Sequence, residues 1–499
     1  HRSHIDYLAL SYLLYYKDLM LPQIVAGKNL NLPLVGPLLR KGGAFFMRRS
    51  FSNNRLYSVV FYEHLRKLMQ RGHSIEFFPE GGRSRSGKLM PPRPGIISMI
   101  LRSFLGMDEK QVSFVPISIN YEKVLEGNSY INEVMGAEKK KENLKDIFSV
   151  FRDFRNYLGE AYLQFGEPIN LNALLKEYPL SDYSSEKDWL FKVTPVLGKK
   201  IMTTINDSTV VTSTALFSLA ILNSDGFSIS NRELVSRIEL LKSLLVEDKY
   251  SAKTLICEKT GEEIIDQMRK LGFLSKEGIN DRISLTNLEA AKLSFYRNNI
   301  SHLLIFESLI CGFFQYQKEI VKEDLLQSIK MIYPFLKEEF FLKWDEADLD
   351  QLINLKLNKL INKNLILEDS NVYKRPDFKS REFYETQSLG KLVQPSIDRF
   401  YVLISQLWKN SAEHISKNEL ERNSLEILKN LEKTQARLTP EFSEKWMFDV
   451  FLSRLIENKY VREDDKGMLY PTRITQRLEK DANKFLEPNW LKELSKSTT

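Results

Sequence analysis

Over the first 170 or so residues, short apolar runs of strand length alternate with segments of helical pattern, and this alternation leaves few architectures open. Residues 22–25, 44–47, 74–78 and 112–120 read as strands, and residues 56–69 and 95–104 between them read as helices. Strands that return through helices have both faces covered, which argues for an α/β layer domain with a mixed, largely parallel sheet. A further strand-like run at 161–165 and a helix near 189–205 close this domain at about residue 206. From 207 to 499 glycines thin out and helical patterns dominate, so a second, mostly helical region is expected.

In such folds reactive groups collect where strands end. The run from Ile75 stops at Pro79, which cannot donate to a sheet ladder, and Glu80, Gly81, Gly82, Arg83, Arg85 and Lys88 follow. Glycines that let the backbone approach closely, with three cations and small hydroxyls between them, have the composition of an anion site; a solvated turn reads from the same residues. Glu80 weakens an anion site unless it orients an arginine or a substrate hydroxyl. An apolar strand at 44–47 likewise delivers Arg48 and Arg49 to an edge, and alternation allows only one of the two to face a site.

The chain opens His1-Arg2-Ser3-His4-Ile5-Asp6 ahead of an amphipathic helical run at 7–20. On a regular helix residues five apart diverge by about 140°, so His1 meets Asp6 only from the loop entering the helix. Ser3 as N-cap with Asp6 three residues on provides that geometry and is also a plain capping box. If the carboxylate instead fixes the imidazole tautomer, His1 can take a proton from a hydroxyl, and His4 is the alternative base.

Composition narrows the class. Against 65 acidic residues stand 72 basic ones, a net charge of +7 that favours anionic partners without being the footprint of a nucleic-acid coat. Cys257 and Cys311 form neither a disulfide framework nor a metal spacing. The long apolar stretches at 7–25 and 302–316 are interrupted by Lys17 and Asp18 and by Glu307, so membrane contact is expected to be peripheral or monotopic. The sequence starts at His1, without Met and directly in a motif, so an N-terminal part is expected to precede it.

Four blocks, HRSHID, GAFFMRR, FFPEGGRSR and VPISI, occur in this order within residues 1–119. They resemble the four motifs of the glycerolipid acyltransferase superfamily, most closely those of the bacterial membrane-associated glycerol-3-phosphate acyltransferases. The resemblance implies His1 and Asp6 as the catalytic pair, Arg49, Glu80, Gly81 and Arg83, with Arg85 beside them, on the glycerol phosphate, and Pro116 on the acyl side. It implies acyl transfer from acyl-CoA or acyl carrier protein to sn-glycerol 3-phosphate, giving lysophosphatidic acid, with no cofactor, no metal and no nucleic acid. The expected place is the cytoplasmic face of the bacterial inner membrane, with its anionic surface as a partner. Gly82 separates this family from lysophosphatidate acyltransferases, which usually carry Thr there. Dihydroxyacetone phosphate or lysophosphatidate as acceptor, and a non-enzymatic winged-helix binding protein, are the alternatives.

Two further segments carry expectations. Between 138 and 158, Phe148, Phe151 and Phe154 recur near helical spacing among six cations, a pattern suited to an anionic surface. In the second region a helix runs three times into a short β-like pair, at 268–286, 357–375 and 455–472, resembling winged helices whose hairpins are acidic or mixed.

Overall fold

The computed structural model describes residues 1–31, 33, 35–48, 54–107, 111–127, 130, 157–274, 281–409, 414–435, 445–482 and 484–486. Arg49 and the basic segment at 138–156 lie outside them. The chain divides into two compact units. One comprises His1–Arg85, Leu89–Thr212 and Ser251–Leu255, the other Ser86–Lys88, Ser213–Tyr250 and Ile256–Thr499.

In the first unit, α1 (Asp6–Tyr16) leads to β1 (Gln23–Gly27), α2 (Val35–Lys41), β2 (Ala44–Met47), α3 (Arg55–Gln70) and β3 (Ile75–Glu76). These three strands form a parallel sheet in the order β2-β1-β3, with Ile24 opposite both Ala44 and Glu76. Parallel pairing stops there, and the unit mixes it with antiparallel pairing in separate two-stranded sheets. After α4 (Pro94–Leu105) the expected strand at 112–120 is two strands, β4 (Ser113–Phe114) and β5 (Ile117–Tyr121). Pro116 separates them, having no N–H for a ladder. Each pairs antiparallel with a later strand, β5 with β6 (Ala161–Phe165) and β4 with β7 (Ile169–Asn170).

Helix spacing explains the core. Asn54 caps α3 by accepting from the Tyr57 amide at 3.0 Å, and Phe61, Leu65 and Met69 follow at intervals of four on the buried face. Helix α4 opens on Pro94, which presets φ at the first helical position, and buries Ile97, Leu101 and Phe104. After α5 (Leu171–Glu177), α6 (Glu186–Asp207) starts at a Ser185 cap and adds Trp189, Val193, Leu197 and Ile201 to the same cluster. The Trp189 indole N–H donates to Tyr178 O at 2.8 Å, so a fully buried ring leaves no orphan donor; truncation to Ala should cost about 3–5 kcal/mol.

The second unit is mostly helical, with small sheets built from distant segments. Ser228–Ser230 pairs with Arg282–Ser284, Val372–Lys374 lies between Glu319–Val321 and Leu367–Asp369, and Met468–Pro471 lies between Ile415–Ser416 and Val461–Glu463. The capping box read from Ser230 and Glu233 is present. No helix among the described residues is long and apolar enough to cross a membrane.

Candidate active site

His1 lies on the loop before α1, and its Nδ1 is 2.5 Å from Asp6 Oδ2. Asp6, almost fully buried as the first residue of α1, also accepts from the Arg2 amide at 2.7 Å, the Ser3 amide at 3.2 Å and the Tyr121 hydroxyl at 2.6 Å. Neutral donors and the helix N-terminus stabilise this carboxylate, and the ring N–H it binds fixes the imidazole tautomer. Nε2 is then the nitrogen free to accept a proton. The ring stacks on Phe78 with centroids 3.9 Å apart, which fixes its plane.

Ser3 is not the helix cap. Ile5 occupies that position without a side-chain bond, while the Ser3 hydroxyl accepts from the Ile5 amide at 3.2 Å and donates to Glu126 at 2.9 Å. Asp6 does accept the Ser3 amide, so half of the expected capping box coexists with the histidine contact. Helix α1 also departs from the amphipathic expectation. It buries Asp6 and Leu10 but exposes Tyr12, Tyr15 and Tyr16.

The third block is built against the first. Glu80 is buried, and its oxygens accept from the main-chain nitrogens of His1 and, at 3.0 Å, of Met90. It braces backbone. Gly81 has φ of 67°, and a Cβ there would lie 2.9 Å from Arg93 Cγ, so the turn requires glycine. Gly82 has neither constraint: its φ is not positive and the space beside it is open. The Ser84 amide donates to His1 O at 2.9 Å, closing the two blocks on each other.

Arg83 and Arg85 share one support, Tyr130, with guanidinium carbons 5.7 and 5.2 Å from its ring centroid. Arg83 also reaches the Tyr130 hydroxyl at 3.3 Å and Glu126 at 3.6 Å. Glu126 in turn accepts from Ser3 and, at 2.7 Å, from the His4 amide, joining the arginine to the loop that carries His1. Arg48 instead stacks on Tyr57 at 4.7 Å and is exposed. Lys88, read as a third anion-binding cation, is spent elsewhere. It belongs to the second unit, where it pairs with buried Glu339.

A cavity of about 510 Å³ opens beside the imidazole. Its wall carries His1, Arg2, Asp6, Glu76 and Glu80 together with apolar Leu14, Met69, Ile100, Phe114, Pro116 and Ile201. Of the two histidines read as candidate bases, His1 lines this wall and His4 does not. Arg2, whose guanidinium donates to Ile119 O at 2.8 Å, is brought down to about 10 by burial against the pull of Glu80 and Asp6, and stays a cation at neutral pH. Burial, and Asp6 beside it, push the Tyr121 hydroxyl up, so it remains a donor.

Arg2, Glu76, Tyr121, Glu126 and Tyr130 were missed by sequence reasoning. The signal available was the run Tyr121-Glu122-Lys123-Val124-Leu125-Glu126 directly after a strand, a place where functional groups gather.

Residues 1–120 match the acyltransferase family model, and residues 130–464 match that of the glycerol-3-phosphate acyltransferase C-terminal region. A glycerol-3-phosphate acyltransferase of Pseudomonas paraeruginosa is 35% identical over 497 residues, covering 98% of this chain and 60% of the relative. One from Pseudomonas putida is 36% identical over 477 residues, covering 94% and 58%. The chain therefore spans about 60% of the length of these curated relatives.

Proposed function

The chain belongs to the glycerol-3-phosphate acyltransferase family, and from that premise we propose that it transfers a fatty acyl group from acyl-CoA or acyl carrier protein to the 1-hydroxyl of sn-glycerol 3-phosphate, giving lysophosphatidic acid. The observation that carries the reading is the His1–Asp6 pair on the wall of a cavity lined mostly by apolar side chains. His1 Nε2 takes the hydroxyl proton as that oxygen attacks the thioester carbon, and Asp6 stabilises the resulting imidazolium. The thiolate leaves with the proton. Neither cysteine lies on the cavity wall, which favours direct transfer over an acyl-enzyme.

Arg83 and Arg85, with Arg49, take the phosphate. Tyr130 holds the first two in orientation, and Glu126 discounts the charge of Arg83, so the phosphate must displace or share that ion pair. Glu80 and Gly81 keep the loop in register with His1, and Pro116 lies on the acyl side.

Residues 1–206 form the catalytic domain in this reading, and 207–499 a helical region whose helix-and-hairpin units are winged-helix-like and serve packing or partner binding. Membrane contact is at the anionic cytoplasmic face of the bacterial inner membrane. The exposed Tyr12, Tyr15, Tyr16, Leu19 and Met20 at the end of α1 support it, since tyrosines suit the interface between lipid and water. The deciding experiment measures thiol release from long-chain acyl-CoA and acyl carrier protein on adding glycerol 3-phosphate to the full-length protein, with dihydroxyacetone phosphate and lysophosphatidate as competitors. No release with any acceptor would sink the reading.

A further inference from the structure

One carboxyl on the cavity wall takes no part in the network around His1. Glu76 ends β3, is 9% exposed and lines the cavity with His1 and Asp6, and its Oε2 is buried without a hydrogen-bond partner among the described residues. Strand alternation sets its direction. Ile75 packs into the hydrophobic cluster, so Glu76, the next residue and the last of the strand, points to the other face. Phe78, two residues on, carries the imidazole on the same cavity wall. Asp6, which binds that ring, also acts on the charge of Glu76.

A buried polar group without a partner is costly, and a site that a ligand completes accounts for its retention. We propose that Glu76 is a further catalytic residue, which keeps its proton and donates a hydrogen bond to the carbonyl oxygen of the acyl thioester. The inference rests on the acyl-transfer reading. As the glycerol oxygen bonds to the carbonyl carbon, the π pair moves onto the carbonyl oxygen and His1 takes the hydroxyl proton. When the pair returns, the C–S bond breaks and the thiolate takes the proton from His1. The Glu76 proton is not transferred; its hydrogen bond strengthens as charge builds on the oxygen and lowers the barrier there.

Such donation needs a neutral acid, because a carboxylate would repel the same charge. Burial, with Asp6 adding to it, pushes the Glu76 carboxyl up to about 8. The other titratable or charged groups around it are His1, Arg2 and Asp6 from the start of the chain, His73 before β3 and Glu80 after it, with Tyr121 acting through Asp6. Strand β1, which faces Glu76 at Ile24, contributes none, and Met69, Ile100 and Ile201 present apolar side chains.

Two variants of the full-length protein test this with acyl-CoA and glycerol 3-phosphate. Glu76→Leu should lower kcat about 10²- to 10³-fold, as removal of an oxyanion donor does, with KM for glycerol 3-phosphate unchanged. Glu76→Gln keeps a donor but cannot ionise, so it should retain activity within about tenfold and lack the alkaline fall in kcat expected of the wild type near pH 8. An unchanged kcat in Glu76→Leu, or an alkaline limb that persists in Glu76→Gln, overturns the proposal. Should Glu76→Leu not fold, the pH profile of Glu76→Gln decides alone. A wild type that releases no thiol removes the acyl-transfer reading and this inference with it, whereas an active wild type with indifferent Glu76 variants removes only the latter.

Discussion

Two buried carboxylates in the helical unit and two in the α/β unit are treated in opposite ways. In the helical unit Glu307 lies 3.0 Å from both Lys356 and Lys359, and Glu339 meets Lys88, the Ser396 hydroxyl at 2.7 Å and Arg399 at 3.2 Å. Burial works against ionisation there, but the flanking cations outweigh it and hold both groups below the usual carboxylate range. In the α/β unit Asp6 is met by a ring nitrogen, two amides and a phenol, while Glu76 Oε2 has no hydrogen-bond partner among the described residues, and burial, with Asp6 adding to it, pushes that carboxyl up. Glu307 and Glu339 also each keep one buried oxygen without a hydrogen-bond partner among the described residues, but their charge is already balanced by fixed cations. A carboxyl on a cavity wall, met by neutral donors or left with an unpartnered oxygen, can still respond to a ligand, and that distinguishes chemistry from packing more sharply than burial does.

The largest expected effect tests the α/β side. His1→Ala should lower the rate of thiol release by about 10² to 10⁴, with a loss of unfolding free energy of no more than about 1.5 kcal/mol from the lost contacts to Asp6 and Phe78. If the unfolding free energy fell in step with the rate, His1 would be packing and the contrast would collapse. On the other side, Glu339→Gln leaves Lys88 and Arg399 buried without their counter-charge and should cost about 3–5 kcal/mol of unfolding free energy. A loss under about 1 kcal/mol would show that the cluster is hydrated.

The pH dependence of stability separates the units next. Glu76 holds its proton in the native state up to about pH 8, whereas the unfolded chain releases it near the ordinary 4.5, so the native state binds more protons across that window. Stability should fall as pH rises through it, by roughly 2–4 kcal/mol, and Glu76→Gln should flatten the slope. Glu307 and Glu339 have the opposite sign, contributing stability above the ordinary carboxylate range that is lost as pH falls. Denaturant titrations at several pH values read both slopes.

Arg83→Ala should raise KM for glycerol 3-phosphate by an amount equivalent to about 1.5–3 kcal/mol while leaving KM for the acyl donor alone. A change confined to the donor would reassign the loop. The smallest effect belongs to Gly82→Ala, which has open space and no positive φ and should shift stability by no more than about 0.5 kcal/mol. Gly81→Ala, strained by both φ and Arg93, should cost measurably more in the same thermal melt.

What could be read from the sequence was what short-range geometry controls. His1 and Asp6 meet because five residues of loop and first turn bring them together. Phe61, Leu65 and Met69 declared the buried face of α3 by spacing, whereas β3 ends at Glu76, short of Pro79, and the break at Pro116 inside the run 112–120 was not read. Contacts between distant segments were beyond it. Lys88 looks like part of a cationic loop until Glu339, 251 residues away, takes its charge. Glu126 becomes the link between Ser3, His4 and Arg83 only once β5 has run beside the first block. Glu76 shows the division within a single residue. Its place on a strand follows from the apolar run around it. Its proton depends on how completely the surrounding chain removes water, a property of packing in three dimensions that no local spacing encodes.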